Sequence, residues 1–240
     1  SDIIGQLTTS AAILRAQGKR WQDLTATVVD QPLLTTKAQA AANSNAVPLK
    51  PQRAFHSLGR SLPEDTRIFI DAGNAWAWSI HYMQRTNTQG LFRIAMAYGS
   101  MTWAIGASVG SCVSNPADPH LCITGDGSYL MAGQEITVAI QQQVPLVMII
   151  LNDTALGMVK HGQRLGGAEE TGFTLPSINY AALANALGIE GLAIETPRQL
   201  DEIDFDRLFS KNEPTIIDLR IDPEEVPPMG ERIKGLSTSK

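Results

Sequence analysis

Two short runs hold the residues best suited to chemistry. Gly125-Asp126-Gly127-Ser128 sits where an apolar strand over residues 121–124 turns into a helix from Ser128, and Leu151-Asn152-Asp153 ends a second apolar strand over 146–151. In a parallel sheet both runs emerge on the carboxyl edge, where such sheets bind ligands. Glycines at a helix start let backbone N–H groups approach a phosphate, and the helix dipole favours its negative charge. Asp126 repels that phosphate unless a hard cation lies between them. Mg²⁺ resolves the conflict, because it takes carboxylate or carbonyl oxygens together with phosphate oxygens. Together the two runs point to a metal-bridged diphosphate. The plainer reading of Asp126 is a turn residue capping the next helix, and of Asp153 a loop residue.

Composition narrows the classes. The 240 residues suffice for one well-buried domain plus an extra segment, and 43 % hydrophobic with 18 % charged residues is the balance of a globular chain. A net charge of −5 without a basic cluster argues against nucleic acid as a partner. Cys112 and Cys122 have no metal-ligand spacing, and Cys122 falls in a strand, as a reduced core thiol would. No apolar run reaches membrane-spanning length and no signal pattern opens the chain, so a cytoplasmic protein without membrane contact is expected.

The elements that must position the two runs follow from periodicity. Short helices are predicted at 11–15 and around Trp21. Residues 35–47, rich in Ala, Asn and Thr, read as a linker, which puts a domain boundary near Ala46. A helix follows Pro48 and Pro51 with Ala54, Phe55, Leu58 and Leu62 on one face. Then come a strand at 67–71, a helix through Trp76 and Trp78, a small-residue helix at 101–113, the strand at 121–124, and a helix at 128–142. The strand at 146–151 and a helix from Gly157 continue the alternation. Ser177 is expected to cap a helix through Tyr180 and Leu187 that Gly188 stops. A strand at 192–194, a helix from Pro197 through Leu208 and a strand at 215–219 complete it. The tail from Pro227 reads as mobile. The expected fold is α/β, a three-layer open, mostly parallel sheet with helices on both faces.

The ordered set Asp71-Ala72-Gly73-Asn74, Gly99-Ser100-Met101, Gly125-Asp126-Gly127-Ser128, Leu151-Asn152-Asp153 and Leu156-Gly157-Met158-Val159 resembles the diphosphate-binding domain of thiamine-diphosphate-dependent enzymes, in particular the acetolactate synthase and pyruvate oxidase group. The resemblance spans about residues 48 to 225. It implies the thiamine-diphosphate-binding fold over residues 46–226, with 1–45 the end of a preceding domain and its connector and 227–240 a tail. It implies thiamine diphosphate and Mg²⁺ as cofactors, with Asp126, the side chain of Asp153 and the backbone carbonyl of Ala155 on the metal. Gly125, Gly127 and Ser128 would contact the diphosphate, Asn74 and Ala75 its other side, and Leu156, Gly157 and Met158 would complete the pocket. Met101 would be the apolar wedge that bends the cofactor. The Gly99 carbonyl and Met101 N–H would meet its pyrimidine edge, which makes these two the residues nearest the reacting end. The implied activity is decarboxylation and carboligation of a 2-oxo acid such as pyruvate.

The match has departures. The family's second metal ligand is often Asn, and Asn152 competes with Asp153 for that role. An aromatic residue is common where Gly162 stands, which leaves the acceptor substrate open. The family's pyrimidine-binding domain carries a glutamate, and nothing before Ala46 is long enough to be that domain. A fragment, or one chain of a two-subunit enzyme, is therefore expected, inactive alone and seeking the missing domain or subunit in a homo-oligomer (dimer or tetramer). FAD is possible only in a full-length protein. His161 is expected as an exposed helical residue, with Lys160 and Arg164 on a solvated face and Gln134 and Glu135 in packing or solvent. Trp76 and Trp78 cannot share a helix face. A pyruvate oxidase- or decarboxylase-like enzyme is the nearest alternative. A dinucleotide-binding Rossmann oxidoreductase is a more distant one, since Leu130 stands where its third glycine belongs. A non-catalytic cofactor-binding module is a third.

Overall fold

A computed structural model describes residues 36–85, 91–95 and 98–228. The helices expected at 11–15 and around Trp21, and most of the tail, lie outside the described residues. The chain divides into two compact units, 1–39 and 40–240, and the second carries the sheet and the cleft. The stretch read as a linker contains a helix, α1 (Thr36–Ala42), with Ala42 fully buried.

Six parallel strands form one sheet: β1 (Arg67–Ile70), β2 (Phe92–Ile94), β3 (His120–Gly125), β4 (Leu146–Asn152), β5 (Glu190–Ile194) and β6 (Thr215–Arg220), in the order β2-β1-β3-β4-β6-β5. All their pairings are parallel. The central strand β4 is buried along its whole length. That is why its sequence is a continuous apolar run and not an alternating one. The registers Ile70↔Ile123 and Gly125↔Leu151 bring the carboxyl ends of β1, β3 and β4 level with one another.

The helices are α2 (Pro51–Ser61), α3 (Asn74–Tyr82), α4 (Trp103–Ser114), α5 (Asp126–Ala132), α6 (Ile136–Gln141), α7 (Gly157–Gly166), α8 (Tyr180–Ala186), α9 (Pro197–Asp201) and α10 (Phe205–Phe209). The helix expected over 128–142 is two helices with a 3₁₀ turn between, Gly133–Glu135. A Cβ at Gly133 would lie 2.6 Å from the Tyr129 ring, so the break lets the chain pass under that aromatic. The helix expected from Pro197 to Leu208 also divides. Thr196 and Gln199 form a capping box for α9, and Asp204 caps α10 by accepting the Arg207 N–H. Asn179, not Ser177, caps α8, accepting the Ala182 N–H at 2.8 Å. Gly188, at φ 82°, ends that region as expected. Trp78 is buried and Trp76 half-buried, on different faces of α3. Cys112 and Cys122 are free and fully buried, and burial pushes both thiols up to about 12.

Helix α8 lies so close on β5 that a Cβ at Gly191 would come 2.8 Å from backbone carbon of Ala181 and closer still to its carbonyl oxygen. Backbone cannot yield as a side-chain tip does. Gly191→Ala should therefore destabilise the unit by about 2 kcal/mol, read as a melting temperature lower by roughly 4–8 °C. An unchanged melt would mean that the β5–α8 contact is looser than this geometry.

Candidate functional site

The carboxyl ends of β1, β3 and β4 open into a cleft. Asn74, Ala75, Met101, Gly125, Asp126, Gly127, Ser128, Asp153, Ala155, Leu156, Gly157 and Met158 line it. Of the residues predicted from sequence, only Gly99 is absent from this lining; it is exposed, at φ 62°. Ala72, Gly73, Leu151, Val159 and Ile221 also face the cleft. The first two are part of the Asp71-to-Asn74 run, whereas nothing in the local sequence marks Ile221, which enters from the end of β6.

The choice between Asn152 and Asp153 depends on the neighbouring strand. The Asn152 amide donates to the buried Asp218 carboxylate at 2.8 Å and to the Ile178 carbonyl at 3.1 Å, which commits it to the interior. Asp153 turns into the cleft. After it the chain makes a tight turn, with Thr154 in the left-handed region at φ 55° and the Ala155 N–H donating to Asp153 Oδ1 at 3.3 Å. Leu156 N–H to Phe173 carbonyl (2.7 Å) and Leu175 N–H to Thr154 carbonyl (2.9 Å) pin this turn on a distant segment. Those bonds use the neighbours of Ala155 and leave its own carbonyl outside the pairing.

Helices α3, α5 and α7 all begin on the cleft, at Asn74, Asp126 and Gly157. Their first-turn N–H groups lack intrahelical partners and favour an anion. The two carboxylates favour a cation. Asp126 is 3 % exposed; its Oδ1 accepts the Gly127 N–H at 2.8 Å, while Oδ2 is buried without a hydrogen-bond partner. Asn74 is the first residue of α3 rather than its cap, and its Oδ1 is likewise buried and unpartnered. Unsatisfied buried oxygens of this kind are costly in a folded chain unless a ligand completes them. Burial, then the charge of Asp153, pushes the Asp126 carboxyl up to about 7, against the pull of the Gly127, Thr154 and Ala155 N–H groups. Burial pushes Asp153 up to about 6, opposed by the Ala155 N–H and the Lys160 charge.

No cluster of three or more His, Cys, Asp or Glu side chains suited to a metal occurs among the described residues. Two carboxylates and a carbonyl cannot complete an octahedral shell, so a cation here needs oxygens from its own ligand. A metal diphosphate meets that requirement and satisfies the helix N-termini together with the carboxylates. The residues present fit such a group. Gly157 leaves room for it: a Cβ there would sit 2.5 Å from Asp153 Oδ2 and closer to the Asn74 amide nitrogen.

Two expectations about helix α7 are corrected. His161 is 2 % exposed, with neither ring nitrogen hydrogen-bonded, and burial, then Lys160 and Arg164, lowers its pKa. Lys160 is buried and donates to Glu224 at 2.6 Å and to the Pro223 carbonyl at 3.0 Å. Arg164 is exposed, as expected, and ion-paired with Glu170 and Glu224. The segment after β6 folds over α7 and covers what a local helix pattern assigns to water. Gln134 and Glu135 are exposed, as expected.

Comparison with known proteins gives the family. Residues 71–219 match the family model of the thiamine pyrophosphate enzyme C-terminal TPP-binding domain. The acetolactate synthase large subunit of Haemophilus influenzae is 34 % identical over 185 residues, which cover 74 % of this chain and 31 % of that protein. The acetolactate synthase isozyme 2 large subunit of Escherichia coli is 31 % identical over 165 residues, covering 68 % and 30 %. The crystal structure of benzoylformate decarboxylase from Polynucleobacter necessarius superposes with a TM-score of 0.68 at 21 % identity, over 82 % of this chain and 36 % of that one, a likeness of fold. This chain spans about a third of the length of the curated relatives it matches. With a parallel α/β sheet, a cleft at its carboxyl edge lined by three helix N-termini and two carboxylates, and a family match over most of that sheet, the chain belongs to the thiamine pyrophosphate enzymes and carries their C-terminal TPP-binding domain.

Proposed function

We propose that this chain is the diphosphate-holding part of a Mg²⁺-dependent enzyme that decarboxylates a 2-oxo acid such as pyruvate and joins the remainder to an acceptor, in the manner of acetolactate synthase. One observation carries the reading: two carboxylates from adjacent strand ends, Asp126 and Asp153, converge in a cleft that also holds the unpartnered oxygens of Asp126 and Asn74. Asp126, Asp153 and the Ala155 carbonyl would hold the metal. Gly127 and Ser128 would offer N–H groups to the diphosphate, and Asn74 and Ala75 would close its other side. Met101, 37 % exposed at the cleft mouth, would support the rings. When bound, thiamine diphosphate supplies the ring that takes up electrons as CO₂ leaves the 2-oxo acid. The protein residues orient that ring and exclude water from it.

Met101, exposed on the cleft, and the exposed Trp103 at the start of α4 and Met131 near the end of α5 support a covering pyrimidine-binding domain or subunit and a homo-oligomer, dimer or tetramer. The two buried free thiols suit a reducing cytoplasm. Asp126 argues against a metal-free dinucleotide pyrophosphate at this turn.

Calorimetry on the 240-residue chain tests the reading. Thiamine diphosphate should bind with Mg²⁺ and fail to bind in EDTA, Asp126→Ala should weaken it by about 100-fold or more, and NAD should give no heat. Mg²⁺-independent binding, or NAD binding, would overturn the proposal.

A further inference from the structure

Asp71, at the end of β1, is a fully buried carboxylate whose donors come from two other elements. The Thr102 N–H donates to its Oδ2 at 2.9 Å and the Ala104 N–H to its Oδ1 at 3.4 Å; the Thr124 hydroxyl donates to Oδ2 at 2.9 Å. Thr124 immediately precedes Gly125-Asp126, and Thr102 immediately follows Met101. Asp71 itself leads into Ala72-Gly73-Asn74 on the cleft wall. One carboxylate thus joins three walls of the site.

The Thr102 bond explains a local anomaly. Thr102 lies in the left-handed region, φ 75° and ψ −14°, which β-branched residues rarely occupy. It is the N-cap of α4, yet its own side chain makes no capping bond. Asp71 supplies the cap from a neighbouring strand, accepting the N–H groups that α4 leaves open. The left-handed turn at 102 sets the direction in which the chain passes Met101, whose Cε lies 3.5 Å from where a Cβ at Gly127 would stand. The wedge and the diphosphate loop are therefore spaced through Asp71.

We infer that Asp71 is a positioning residue that fixes Met101, and with it the ring end of the cofactor site, relative to the Gly125–Ser128 diphosphate loop by holding Thr102 in its left-handed turn. The inference rests on the proposed function for its cofactor part.

The test is a cycle of wild type, Asp71→Asn, Thr102→Gly and the double variant, each measured in two ways. By calorimetry, Asp71→Asn should weaken Mg²⁺–thiamine diphosphate by about 10-fold to 100-fold, as expected for misplaced contacts, and should change Mg²⁺–pyrophosphate far less, because pyrophosphate makes no use of Met101. Restoring a residue that accepts positive φ, the double variant should regain part of the lost affinity. By thermal melting without ligand, Thr102→Gly should stabilise the wild-type background more than the Asp71→Asn background, where the turn is no longer held. Equal losses for both ligands with additive melting shifts would reduce Asp71 to a structural residue and overturn the inference. Binding of neither ligand by the wild-type chain would overturn the functional reading and the cofactor part with it, while the melting cycle separately decides the Asp71–Thr102 link.

Discussion

Gly157→Ala should sharply weaken Mg²⁺-dependent thiamine diphosphate binding while leaving the chain folded. Gly157 is the first residue of α7, a position where alanine suits the helix backbone. The added methyl would nevertheless lie 2.5 Å from Asp153 Oδ2 and closer still to the Asn74 amide, so both groups must leave the cleft. Misplacement of a positioning group by about 1 Å costs on the order of 100-fold, and here two groups move at once. The expected result is an affinity loss of about 100-fold or more, with a melting temperature close to wild type. Gly127→Ala provides the contrast. Its Cβ would also meet an atom at 2.5 Å, but that atom is the terminal methyl of Leu156, which can rotate away. A milder loss is expected there. Wild-type affinity in Gly157→Ala would show that Asp153 and Asn74 take no part in binding.

Asp126→Asn should stabilise the metal-free chain above neutral pH. The folded Asp126 carboxyl stands at about 7, raised first by burial and then by Asp153, against an ordinary value of 3.8. A carboxyl raised on folding holds its proton more tightly in the native state. Its ionisation therefore weakens the fold progressively as pH climbs from about 4 to about 7, after which the loss is complete. A shift of this size corresponds to on the order of 4 kcal/mol. Asn imitates the protonated acid and can still accept the Gly127 N–H, so most of that loss should disappear. Melting in EDTA at pH 5 and pH 8 should show a lower midpoint at pH 8 for wild type and a smaller difference for Asp126→Asn. Glu190, which the Arg207 and Lys211 contacts hold down to about 2, acts in a separate window: it contributes above its ordinary range and loses that contribution below about pH 4. Mg²⁺ with diphosphate should remove the alkaline loss in wild type only. A site destabilised in the empty chain so that it can grip a cation exchanges stability for function. Identical pH profiles for the two proteins would mean that Asp126 ionises freely.

How legible was this molecule from its residues? The runs at 121–124 and 146–151 could be read as strands because a strand buried on both faces must be apolar throughout, and their carboxyl ends then had to carry the loops that face the cleft. The Gly125-Asp126-Gly127 turn was legible for a similar local reason, since glycines where an apolar strand gives way to a helix mark a junction on the sheet's carboxyl edge. The edge strand Phe92–Ile94 was not, for it is short, half-buried and carries Arg93 in its middle. The breaks at Gly133 and before Asp204 were missed because the apolar spacing continues through them.

Local order, residue chemistry and the family of the site are determined by the sequence alone, because strand burial, turn formation and metal–phosphate affinity act over a few residues. Partner choice is another matter. Asn152 faces inward because Asp218 waits on the next strand, His161 and Lys160 are covered because the chain returns after β6, and Thr102 is left-handed because a carboxylate arrives from β1. Each of these pairs lies about thirty or more residues apart, and only tertiary pairing decides which polar group is buried with which.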